Sequence, residues 1–115
     1  MITADQKELH LLLDRTGAVI VFQEKGASWA GVLAFSDETN AREFVQTSML
    51  EVAEIAAFDC TDAANVAALI ASVKPRAVRY MLLDLDYRTG RCIQIEFEGD
   101  GFGIRSERQM SPARK

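Results

Sequence analysis

Between residues 29 and 86 the sequence alternates twice between strand-like and helix-like patterning, and that succession limits the fold more than any other feature. "WAGVLAF" is a β-rich run, after which Ser36 or Asp37 caps a helix over residues 37–49. In that helix Ala41, Phe44, Val45 and Met49 fall at helical spacing, and the acidic first turn suits the positive end of the helix dipole. "VAEIAAF", residues 52–58, is a second strand. Thr61 or Asp62 then caps a helix over residues 62–74, with Val66, Leu69, Ile70 and Val73 at i, i+3, i+4 and i+7. Lys74 and Pro75 end it, because proline disfavours helical geometry in the residue before it. Residues 78–86 return to a strand. Elements in this order bury their apolar faces through right-handed crossovers on a shared sheet.

The flanking runs add antiparallel pairs. "AVIVFQE" and "WAGVLAF" are separated by "KGAS", a loop of hairpin length. Residues 78–86 and 91–98 form a second hairpin through "YRTG", with Gly90 as the permissive residue. The fold expected is α+β (or α/β), a two-layer sandwich with a mixed sheet of about five strands, two main helices on one face and a C-terminal β-hairpin. Residues 9–14 are ambiguous: Thr3 and Gln6 can cap a helix, whereas Leu9, Leu11 and Leu13 alternate as in a strand. The capping pair favours a helix ending near Gly17. A chain of 115 residues holds one core, so residues 1–105 are expected to form a single domain. The polar stretch 106–115 is expected to be a mobile tail. "DRTGAVIVF" and "YRTGRCIQIEF" share three residues before similar alternation, which a common turn requirement explains.

Charge and cysteine usage narrow the functions. The net charge is -4 and there is no basic stripe, so nucleic acid is not expected as a partner. The apolar runs are far shorter than the roughly 18–20 residues a membrane helix needs, and no export signal is present, so a cytoplasmic location is expected. Cys60 and Cys92 are read as reduced thiols, with no metal framework and no cofactor implied.

The stretch "LDLDYRTGRCIQIEFEGDGFG" carries the densest polar pattern. A period of two places Met81, Leu83 and Leu85 with Ile93, Ile95 and Phe97 on the core side. The other side then gathers Asp84, Asp86, Glu96 and Glu98 on one surface. A flat ladder cannot wrap a hard cation, and a solvated face gives no asymmetry for acid and base catalysis. These four carboxylates are therefore candidates for docking a basic partner, and Trp29 for anchoring a protein interface. Gly99, Gly101 and Gly103 resemble a phosphate-cradling loop, with Arg105 and Arg108 as counter-charges. The working versions of that loop precede a helix, and no helical pattern follows here. His10 is the lone histidine and has no nucleophile motif near it, so no catalytic residue is assigned.

The segment 29–86, with Phe35, Ser36, Asp37 and Glu38 at its first helix start, resembles the N-terminal domain of the SseB family of small bacterial proteins. The resemblance implies an accessory or regulatory protein with no catalytic residues to carry over. The acidic hairpin departs from the family pattern, and the chain has no room for the family's C-terminal domain. The function expected is a non-enzymatic protein-interaction module that binds a protein partner or a second copy as a homodimer. The alternative is a small-ligand protein or enzyme with a cleft near residues 99–103.

Overall fold

The computed structural model describes residues 8–23, 30–76, 78–99 and 101–109. Among them the elements are β1 (Glu8–Leu13), β2 (Val21–Phe22), β3 (Ala30–Phe35), α1 (Glu38–Ser48), β4 (Glu54–Asp59), α2 (Ala63–Val73), β5 (Val78–Leu83), β6 (Arg91–Glu98) and β7 (Gly101–Gln109). They form an α+β fold around one mixed sheet in the order β4-β1-β3-β5-β6-β7, with β2 beside β3. β3 and β5 are parallel, and the other pairs are antiparallel. The mixed sheet, the two helices and the hairpins at both ends of the helical region follow the sequence pattern. Among the described residues the sheet has seven strands.

The path of the chain decides where the helices go. From β3 it passes over β1 to reach β4, and from β4 it passes back over β1 and β3 to reach β5. Right-handed crossovers in opposite directions place their helices on opposite faces. The core divides accordingly. Phe35 and Leu33 pack with Ala41 and Phe44 of α1, Leu12 and Leu82. Val32 and Ala34 pack with Leu69 and Val73 of α2, Leu9, Met81, Leu83 and Ile95. The helices thus cover both faces of the central strands instead of sharing one. This is why every residue of β3 is buried.

Local caps account for the helix boundaries. Asp37 accepts the Asn40 amide at 2.8 Å, and Asp62 accepts the Ala64 amide at 2.9 Å, so the aspartate is the cap in both cases. Met49 falls outside the apolar stripe expected of it. The helix stops at Ser48, and Met49 takes a left-handed φ of 59° and is 87% exposed.

Two expectations about the ends need correcting. Residues 8–13 are a strand, not a helix: β1 lies between β3 and β4, and cross-strand pairing outweighs the local capping signal. Residues 106–109 are not part of a mobile tail. They continue β7, where Ser106 pairs with Gln94 and Glu107 with Ile93. Residues 110–115 lie outside the described residues.

Candidate functional site

The β5–β6 connection places Asp84 and Asp86 differently from a continuous strand. β5 ends at Leu83, and Asp84 turns to φ 55°, which ends the alternation that would have aligned both aspartates with Glu96 and Glu98. The half-buried Asp84 reaches the entry of α1, where its Oδ1 accepts the Ser36 amide at 2.9 Å and the Asn40 side-chain amide at 3.3 Å. Asp86 holds the turn: its Oδ1 accepts the Arg88 amide at 2.9 Å, and its carbonyl accepts the Gly90 amide at 2.7 Å. Gly90 has φ 79°, the role its position implied. Between α1 and this turn lies a cleft of about 170 Å3 with Phe35, Phe44 and Leu85 among its lining residues and Tyr87 edge-on to Phe44. It is smaller than the roughly 300–1,000 Å3 that ordinarily encloses a small molecule.

The acidic surface expected on the last hairpin is dispersed. Glu96 is exposed opposite Tyr80, and Glu98 sits at the far end of β6 opposite Gly101. The face assigned to solvent is partly core, since Leu82 and Cys92 are buried with the α1 cluster. The glycines form a hairpin. Gly99 takes φ 59° beside the Glu98–Gly101 pair, and strand rather than helix follows. Glu98 lies across Gly103, where an added Cβ would be 2.7 Å from its Cγ and Cδ. Arg105 is exposed on β7. Trp29 and the side chain of Arg108 lie outside the described residues. His10 is half-buried on β1, 3.9 Å from the Glu8 carboxylate. Neither Cys60 nor Cys92 is in a disulfide, and burial pushes the Cys60 thiol up. No group of three or more His, Cys, Asp or Glu among the described residues is placed to hold a metal ion.

The feature that sequence reasoning passed over is the contrast between the two edges of the sheet. β7 is defended twice: its pairing with β6 is interrupted by a bulge between Ile95 and Phe97, and its exposed residues include Arg105 and Glu107. β4 has no bulge and carries its charges, Glu54 and Asp59, only at its two ends. Its pairing with β1 is regular from Glu54 to Asp59, and its middle is uncharged: Ile55, Ala56 and Phe58 are half-buried and Ala57 is exposed. No strand among the described residues pairs with its outer side.

Hydrogen bonding identifies which groups of β4 point outward. The Leu12 carbonyl accepts the Ile20 amide at 2.8 Å and therefore faces away from β4. Because direction alternates along a strand, Leu9, Leu11 and Leu13 face β4, and their partners Phe58, Ala56 and Glu54 face inward. The N–H and C=O groups of Ile55 and Ala57 then face out. Beside them a groove of about 460 Å3 runs between α1 and the start of β4, lined by Val45, Val52 and Ile55, with Arg42 and Glu54 also at its wall. The uncharged run "IAAF" between Glu54 and Asp59 was the sequence signal for this edge.

Comparison with known proteins found no matching family model, no matching curated protein and no matching solved structure. The SseB resemblance therefore rests on the quoted residues alone. No helix among the described residues is long and apolar enough to cross a membrane.

Proposed function

We propose that the chain is a non-enzymatic protein-interaction module that receives an extended partner segment along the outer edge of β4. The observation that supports this reading is the regular outer edge of β4, with the Ile55 and Ala57 backbone groups directed outward beside a groove of mixed lining that includes Val45, Val52 and Ile55. Strand addition gains affinity from main-chain hydrogen bonds and specificity from alternate side chains, and β4 offers both.

Proline substitution tests the reading because its effect depends on which way an amide points. Ala57→Pro removes an outward N–H and leaves the β1 ladder intact, which edge strands tolerate. Proteins captured from a lysate by the unmodified chain are expected to be lost with Ala57→Pro and kept with Arg105→Ala on the opposite edge. Retention of the same proteins by Ala57→Pro, with its fold intact by circular dichroism, would remove β4 as the interaction edge.

A further inference from the structure

The β4 edge carries information about its occupant. Its uncharged centre is bounded by Glu54 at one end and Asp59 at the other, both exposed. The Thr61 hydroxyl and amide donate to the Asp59 carboxylate at 2.6 and 2.9 Å and hold its pKa below the ordinary value, so it stays ionised near neutrality. Ile55 belongs to the α1 side of the sheet and Phe58 to the α2 side. By alternation Asp59 projects on the α1 side and Glu54 on the α2 side.

Resting on the reading of β4 as the interaction edge, we infer that its partner is an extended segment with two basic residues five positions apart and small or β-branched residues between them. Such a segment places one cation beside Glu54 and the other beside Asp59, on opposite faces as a five-residue separation in a strand requires. The intervening side chains meet Ile55, Ala56, Ala57 and Phe58.

A second copy of the chain fits less well. Outward groups on β4 sit at odd positions, so a two-fold antiparallel pair centred on Ala57 sets Ile55 of one copy against Asp59 of the other. It also brings Glu54 and Asp59 to neighbouring positions at each end of the ladder. A carboxylate then faces an isoleucine at each end of the ladder. The charge pattern favours a basic partner over self-pairing.

The test uses the full chain with two capped synthetic hexapeptides, Lys-Thr-Val-Thr-Val-Lys and Glu-Thr-Val-Thr-Val-Glu, followed by NMR at low and high salt. The lysine-ended peptide is expected to bind roughly tenfold more tightly at low salt, to lose that advantage at high salt, and to slow amide exchange at Ile55 and Ala57. The advantage should disappear in the double variant Glu54→Gln, Asp59→Asn. Equal affinity of the two peptides with the same slowed amides would overturn the charge inference while leaving the edge in place. Protection of Ile55 and Ala57 in a dimer without peptide would overturn it in favour of a second copy. Binding of neither peptide, or binding that leaves those amides unchanged, would overturn both the inference and the edge reading.

Discussion

The Asp84 carboxylate accepts the Ser36 amide at 2.9 Å, so the end of β5 fastens the entry of α1. A residue with φ 55° and a charged acceptor meets two demands at once. Asp84→Ala leaves the Ser36 amide unsatisfied and puts a Cβ-bearing residue without a polar partner in the left-handed region, for an expected loss of about 2–4 kcal/mol. Asp84→Asn retains an acceptor oxygen and tolerates the same φ, and its cost is expected near 1 kcal/mol or below. Urea unfolding of the two variants checks this, and equal losses would show that the acceptor is not what the position requires.

Gly31 is set by Leu82. A Cβ at Gly31 would lie 2.8 Å from Leu82 Cγ, and Leu82 is fully buried. Gly31→Ala is expected to cost about 1–3 kcal/mol through overpacking. Combined with Leu82→Ala it should cost clearly less than the two single losses added together, because the cavity accepts the new methyl group. Additive losses in a double-mutant cycle would place the strain elsewhere.

Met49 offers the opposite case. It adopts the left-handed conformation that follows α1 while exposing most of its side chain. Met49→Gly removes the Cβ penalty and little burial, so a gain of about 0.5–1 kcal/mol is expected as a higher urea midpoint. A lower midpoint would mean that Met49 contributes packing that outweighs its backbone strain.

Asp14 and Asp59 make stability depend on acid pH. The Thr16 hydroxyl and amide hold Asp14 below its ordinary value of 3.8, and Thr61 does the same for Asp59. A depressed folded-state pKa contributes stability that is present above the unfolded value and is lost as pH falls through the folded one. Stability should therefore decline below about pH 4. Asp14→Asn with Asp59→Asn should flatten that decline, as measured by guanidinium unfolding at stepped pH. An unchanged slope would assign the acid sensitivity to other carboxylates.

Several elements were legible because their signals are local. Asp37 and Asp62 announce their helices, Leu69, Ile70 and Val73 define an apolar stripe, and Gly90 marks the turn that it makes. β1 was misread because its environment is not local. Leu9, Leu11 and Leu12 are all buried between two covered faces, which blurs the alternation of a half-exposed strand. The sides that the helices take are hidden in the sequence because they depend on β1 lying between β3 and β4. β7 failed for the converse reason: Arg105, Ser106 and Glu107 are exposed on successive positions, so neither face shows a hydrophobic period. At the candidate site a strand β5 continued through residue 86 would align Asp84 and Asp86 with Glu96 and Glu98, and the left-handed turn at Asp84 ends that register. The openness of β4 needed a knowledge of strand order, which no stretch of sequence carries by itself.

The central position of β1 also governs how the polypeptide can acquire its structure as it is made. β1 is translated before either strand that flanks it, and its outer neighbour β4 ends at Asp59. At about 5–20 residues per second, Leu9, Leu11 and Leu12 leave the ribosome roughly 2–10 s before that pairing is complete. The nascent chain must therefore carry an adhesive, half-paired strand through an interval in which chaperones or aggregation compete for it, and a pause in translation before codon 59 would lengthen that exposure.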